Sequence, residues 1–413
     1  MPGPSTSPDL ASDLTLKVAT SLKAVDAREW DACANPHAGA ESAPGASRSP
    51  ESASQEDADN PFISHVFLSA LEESGCAVGR TGWGGAHVLV EGPGGALLAC
   101  APCYLKSHSR GEYVFDSGWA DAYDRAGGRY YPKLQVSVPF TPATGRRLLV
   151  RPGPRNAEAR EALVHGLQAV RAQAGASSVH LTFLPEEDWE DLGRRGFLQR
   201  TDQQFHWFNE GYGSFEQFLE ALASRKRKAI RRERRDAVAN GITIEHVTGR
   251  DITEAHWDAF FAFYMDTGSR KWGRPYLNRT FFSLIGERMA DRILLMMAKR
   301  AGRYVAGAIN FIGANTLYGR NWGCIEDHPF LHFEVCYYQA IDFAIGRRLA
   351  RVEAGAQGEH KLARGYRAVT TYSAHDLADP ALRRAVADYL ARERSYVESL
   401  HEEYEEHAPF RKA

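Results

Sequence analysis

Apolar residues recur along this chain with two spacings in turn, and the order of those spacings sets the expected fold. Pro61 to Ser74 and Asn156 to Gly175 carry the helical spacing, with Leu163, Leu167 and Val170 on one stripe of the second segment. Between them, His87 to Val90 and Ala96 to Leu105 alternate with a period of two across Gly92, Pro93, Gly94 and Gly95, which predicts a hairpin. Lys133 to Pro139 and Arg147 to Val150 read as further strands. Ser178 to Leu184 reads as a buried strand, and a helix over Glu186 to Arg195 and a strand over Gln203 to Asn209 close the first half. A short strand and helix precede all of these, from Leu16 to Cys33.

The second half repeats the plan. Phe215 to Ala239 is expected to be the longest helix, with Phe215, Phe218, Leu219 and Leu222 on one face and a stop at Asn240 and Gly241. A strand follows over Ile242 to Val247, then helices over Ile252 to Tyr264 and Arg279 to Ala290. Strands over Ile293 to Lys299, Tyr304 to Ile312 and Asn315 to Trp322 come next. A helix from Phe333 to Leu349, a strand from Arg351 to Ala354 and a C-terminal helix complete the chain. This is mixed α/β order, and 413 residues exceed one ordinary core, so two domains are expected. The first comprises residues 1–33 and 61–212, interrupted at 34–60 by an Ala/Ser/Pro-rich insertion expected to be disordered. The second comprises residues 213–413 and opens with a basic helix.

Composition narrows the functions. Apolar residues make up 44% and charged residues 25%, as in globular proteins, and a net charge of −2 leaves any anionic partner to a local patch. No run of about 18 apolar residues and no secretory leader are seen, which predicts a cytoplasmic protein without a transmembrane segment. Cys100 and Cys103 form the one CxxC and are expected to be strand thiols, since no second pair accompanies them. His328 and His332 have metal-pair spacing, but Pro329 interrupts the helix such a pair needs, so no metal is expected. GxSxG, Walker and GxGxxG patterns are absent.

Two stretches carry candidate chemistry. From Arg225 to Arg235 nine of eleven residues are charged, eight of them cations, and a helix would spread Arg225, Arg227, Lys228, Arg231, Arg232, Arg234 and Arg235 into a broad cationic surface. Phosphates or RNA suit it; a solvated face paired with Glu220 and Glu233 is the plainer reading. The second stretch, EAGAQGEHK from Glu353, gathers Gly358, Glu359, His360 and Lys361, with Arg364 close behind and Thr370, Thr371, Ser373 and His375 beyond. Glycine lets backbone approach a ligand, Glu359 or His360 accepts an amine proton, and Lys361 or Arg364 holds a phosphate or carboxylate. A polar loop whose charges pair with each other is the alternative. Tyr338 and its neighbour Tyr337 are candidate proton donors to a leaving thiolate or alkoxide, although adjacent tyrosines also suit a core.

Several separated motifs share one resemblance. These are YLKSHS from Tyr104, GEYVFD from Gly111, YYPK from Tyr130, VPFTP from Val138, QFHW from Gln204, SRKRK from Ser224 and AQGEHK from Ala356. Together they resemble the FemAB-like family of peptidoglycan biosynthesis/recognition, within the GNAT superfamily, over about residues 60 to 410. The resemblance implies tandem GNAT-type acyltransferase domains, each a mixed central sheet flanked by helices. It also implies N-acyl transfer from acyl-CoA or aminoacyl-tRNA to a small-molecule or peptide amine, with tRNA as a partner of the second donor and no bound cofactor. Lys361 and Arg364 hold a position similar to the basic Fem segment after the last strand of the second domain, with Glu359 and His360 as acid/base candidates. Gly358, Arg227, Lys228 and Arg231 join them as donor-binding candidates. Arg320 and Gly323 fit the usual GNAT phosphate loop, whereas Ile325 stands where a small residue is usual. Fem ligases carry a long coiled-coil arm near the domain junction; here the chain returns to a strand at Ile242. A non-catalytic module that recognises peptidoglycan precursor, anionic glycan or RNA is the alternative function.

Overall fold

A computed structural model describes residues 13–36, 59–271, 275–355, 358–406 and 408–411. The expectation of disorder over 34–60 lies, for 37–58, outside the described residues. On either side of that segment Asn35 and Asn60 are buried and bond each other, with Asn35 Nδ2 donating to the Asn60 carbonyl at 3.1 Å and Asn60 N–H to Asn35 Oδ1 at 2.9 Å.

The first half contains β1 (Thr15–Ala19), α1 (Ala27–Ala34), α2 (His65–Glu73), β2 (Trp83–Gly85), β3 (His87–Glu91), β4 (Leu97–Ala101) and β5 (Cys103–Lys106). There follow α3 (Ser117–Arg125), β6 (Lys133–Val136), β7 (Leu149–Val150), α4 (Asn156–Gln173), β8 (Ser178–Leu184), α5 (Glu186–Arg194) and β9 (Leu198–Phe208). The second half opens with α6 (Phe215–Ala221), α7 (Ser224–Ala237), β10 (Ile242–Thr248), α8 (Glu254–Lys271), α9 (Arg279–Met289), β11 (Ile293–Arg300), β12 (Arg303–Ile312) and β13 (Thr316–Cys324). Then α10 (Leu331–Phe333) runs through a π-helical stretch (Glu334–Tyr338) into α11 (Gln339–Arg347), followed by β14 (Arg351–Glu353), β15 (Arg367–Leu377) and α12 (Pro380–Glu406).

Among the described residues the strands form two sheets. A four-stranded sheet has the order β1-β3-β4-β7, and an eleven-stranded sheet has the order β10-β11-β12-β13-β14-β9-β15-β8-β6-β5-β2. The large sheet runs through both halves because they exchange strands. β9 of the first half lies beside β14, with Glu353 opposite His206, and β15 of the second half lies between β9 and β8, with His375 opposite His180. A boundary after residue 212 thus falls between β9 and α6 in the chain, while the sheet passes across it. Phe62 and Phe67 of the first half meet Phe311, Tyr318 and Phe281 of the second with ring centroids 5.0 to 5.7 Å apart, a shared aromatic core.

Among the described residues each half contains one parallel strand pair, β6 with β8 and β13 with β14. The second pair joins only at Thr316 to Tyr318 with Arg351 to Glu353; β14 then stops while β13 runs on to Cys324.

Two expectations are corrected. Phe215 to Ala239 is not one helix, and the longest among the described residues is α12, with 27 residues. α6 ends because Leu222 turns extended and pairs with Phe410, and Ala223 N–H bonds the Pro409 carbonyl at 2.9 Å, so the C-terminal segment holds the break open. Thr370 to His375 is not a site loop but the middle of β15, with Thr371, Ser373 and His375 buried.

Candidate functional site

After β14, a 3-10 helix spans Glu359 to Arg364. Left-handed glycines bound it: Gly358 has φ 120° and Gly365 φ 87°. A side chain at Gly365 would also place its Cβ 2.5 Å from the Phe218 ring, so glycine lets this segment lie against α6. Lys361 is fully buried and its Nζ donates to the Gly355 carbonyl at 3.0 Å. Burial pushes this ammonium's pKa down to about 7.

Arg364 is the hub of the segment. Its guanidinium donates to both carboxylate oxygens of Glu233 on α7 at 3.0 Å and to the His360 carbonyl at 2.7 Å, and it lies 3.5 Å from the centre of the Phe333 ring. Tyr338 donates its hydroxyl to the same Glu233, and burial followed by this bond raises its pKa. His360 Nε2 meets the Tyr337 hydroxyl at 2.8 Å, and Glu359 accepts a bond from Tyr404 at 2.7 Å. The fold therefore gathers Gly358, Glu359, His360, Lys361, Arg364 and Tyr338 around one short segment.

Helix α7 packs beside this segment, and its two ends differ in charge pairing. Toward its C-terminus, Arg234 bonds buried Glu334, Arg231 pairs with Glu216, and Arg232 and Arg235 meet Asp236. At the other end Arg225, Lys226, Arg227 and Lys228 carry no ion pair with another described residue, and the first turn holds no acid. Four cations at the positive end of a helix dipole repel it, and a bound anion relieves that repulsion. Arg225, Lys226 and Arg364 line a cavity of about 410 Å³ between α7 and the 3-10 helix, together with the one acid Glu233; Arg227, Lys228 and Arg231 are not in its lining. Arg320 is also apart: it lies on β13 and donates to the Phe140 carbonyl of the first half at 2.6 Å, with burial lowering its pKa.

A second polar cluster, buried in the first half, escaped the reading of the sequence. Lys133 Nζ bonds Glu112 at 2.7 Å and Asp116, and Lys106 Nζ stands 3.7 Å from Glu112 and 3.4 Å from the centre of the Trp83 ring. Tyr130 bonds Asp116 at 2.8 Å and approaches His180, whose Nδ1 lies 2.7 Å from Nδ1 of His375 on the exchanged strand. Burial alone would lower the pKa of Lys133, but the two carboxylates outweigh it and hold the ammonium charged. Burial, aided by Lys133, pushes His180 down to about 3, so it is neutral. The signal lay in the motifs themselves: GEYVFD and YYPK supply Glu112, Asp116, Tyr130 and Lys133, charges too deep in an apolar pattern for a solvated surface.

Among the described residues no group of three or more His, Cys, Asp and Glu is placed to hold a metal ion, and no helix is long and apolar enough to cross a membrane. His328 bonds Glu326 at 3.0 Å, while His332 packs on Trp322. Cys100 and Cys103 are buried strand thiols, with Cys103 pushed up to about 12 by burial.

The family model for FemAB-like proteins, described as peptidoglycan biosynthesis/recognition, matches residues 21–412. Among solved structures, FemX is 13% identical with a TM-score of 0.50, covering 78% of this chain and 94% of FemX. L-PGS from Bacillus licheniformis is 10% identical with a TM-score of 0.47, covering 78% of this chain and 96% of its own. A tandem GNAT protein from the clavulanic acid biosynthesis pathway is 12% identical with a TM-score of 0.44, covering 89% and 99%. No curated protein matches this chain. The fold is mixed α/β and is similar to that of FemX.

Proposed function

The chain belongs to the FemAB-like family of peptidoglycan biosynthesis/recognition, and on that premise we propose that it is a cytoplasmic N-acyltransferase acting on a cell-wall precursor. It transfers an acyl or aminoacyl group from acyl-CoA or aminoacyl-tRNA to an amine. One observation carries the reading: a fully buried lysine, Lys361, with its pKa held at about 7, stands just past the end of β14 with its Nζ on the Gly355 carbonyl. In acyl transfer the amine nitrogen attacks the donor carbonyl carbon, a C–N bond forms, and the carbonyl electron pair moves to oxygen. Lys361, as an ammonium, donates to that oxyanion in a site without competing water. Glu359 accepts the proton released by the amine. The oxyanion then collapses and the C–O or C–S bond breaks. The leaving group departs with the bonding pair and takes a proton from His360 in its protonated form.

Both donors carry phosphates, and Arg225 and Lys226 in the cavity beside the segment support phosphate binding there, whereas Arg364 in the same lining is already engaged by Glu233. Arg227 and Lys228 extend the cationic surface toward a larger donor such as tRNA. Tyr338 positions Glu233 and, through it, Arg364. The unpaired cations of α7 equally support the second reading, a recognition module that binds precursor, anionic glycan or RNA without turnover.

The test is transfer from acetyl-CoA, longer acyl-CoAs and charged tRNA to a lipid-linked muropeptide by wild type and Lys361→Met. Turnover by wild type, lost in Lys361→Met while donor binding persists, supports the transferase. Donor or muropeptide binding without wild-type turnover supports the recognition module.

A further inference from the structure

A larger cavity, of about 580 Å³, lies on the other side of the Glu359 to Arg364 helix, between the β9 and β15 pair and the C-terminal end of α12. Consecutive residues of the 3-10 helix face the two sides: Leu362 lines this cavity, and Ala363 and Arg364 line the cationic one. Its walls are aromatic and aliphatic, including Phe208, Tyr366, Tyr372, Tyr404 and Phe410. Two exposed carboxylates, Glu186 and Glu405, stand at it. One arginine is in the lining, Arg367, and its charge is already engaged: it pairs with Glu210 and lies 4.6 Å from the centre of the Phe410 ring. His401 turns Nε2 to Glu405 at 3.4 Å, and its Nδ1 is buried without a partner among the described residues.

Aromatic faces and carboxylates attract an ammonium and repel an anion, while the aliphatic wall takes up an alkyl stem. The cavity also touches the chemistry, because Tyr404 in its wall donates to Glu359. We propose that this cavity binds the acceptor, a primary amine on an apolar stem, from the side of the 3-10 helix opposite the donor's phosphates. The inference rests on the transferase reading. Opposite charge on the two sides of one thin segment sorts the two substrates, so that neither occupies the other's place.

The experiment measures binding of n-pentylamine and cadaverine to the full-length protein by calorimetry, with n-pentanol as the uncharged control. It compares wild type with the variant Glu186→Gln/Glu405→Gln, both changes being on exposed side chains. Saturable amine binding is expected, weakened about tenfold in the variant and in the alcohol, with inorganic pyrophosphate binding unchanged. Equal amine affinity in variant and wild type, or no saturable amine binding, overturns the assignment. Failure of the transferase reading looks different: amine binding falls in the variant as expected, yet wild type transfers no acyl group. Transfer by wild type with an unchanged KM for the amine in the variant overturns the cavity and leaves the transferase standing.

Discussion

Replacing Lys361 by Met keeps most of the stem and removes the ammonium, so it isolates the energetic consequence of burying that charge. In the unfolded chain a lysine titrates near ~10.4, whereas in the fold burial holds Lys361 at about 7. Between those values the unfolded chain binds one proton more than the folded chain. Wild type therefore gains stability as pH rises from about 7 toward about 10 and loses it again as pH falls. The whole span is worth ~5 kcal/mol, of which about 2 to 3 kcal/mol falls between about pH 7 and about pH 9. Lys361→Met lacks this term, and the other titrating groups cancel in the comparison. Urea unfolding followed by tryptophan fluorescence should show the difference between variant and wild type moving by that amount in favour of wild type over the interval. A difference independent of pH would refute the reasoning, because it would mean that Lys361 keeps its ordinary protonation in the fold.

Glu233→Ala leaves Arg364, with 9% of its side chain exposed, without its carboxylate and Tyr338 without its acceptor; a loss of ~3 kcal/mol, read as a lower Tm, is expected. Lys133→Met strips the counter-charge from buried Glu112 and Asp116 and should cost about 3 to 5 kcal/mol, much of it regained when both acids are also replaced by leucine, as urea titrations would show. Residues 1–212 and 213–413 expressed separately should each lack native hydrogen-exchange protection in the large sheet, because β15 leaves β8 and β9 in one half and β9 leaves β14 in the other; mixing the two should restore it.

What could be read from the sequence was local. The hairpin of β3 and β4, the stripe of α4, the buried run of β8 and the strands β11, β12 and β13 each repeat a spacing of two or 3.6 within a few residues, and neighbours along the chain are enough to express it. Gly358 ahead of Glu359 to Arg364 was legible for the same reason, since the conformation a glycine permits is its own. Where the outcome depended on distant residues, the pattern was silent or misleading. The basic helix reads as one piece with its apolar predecessor until Pro409 and Phe410 arrive from the far end of the chain to break it at Leu222. β15 reads as a polar loop because its inward residues face polar partners, and His375 finds His180 only because the halves trade strands. Sequence likewise placed eight cations on α7 and an acid, Asp236, one and four residues from two of them, but only the packing of Glu216 and Glu334 decided that Arg231 and Arg234 are paired as well. Periodicity is a property of consecutive residues, whereas strand exchange, charge pairing and the two cavities flanking the 3-10 helix are properties of surfaces that meet only once the chain has folded.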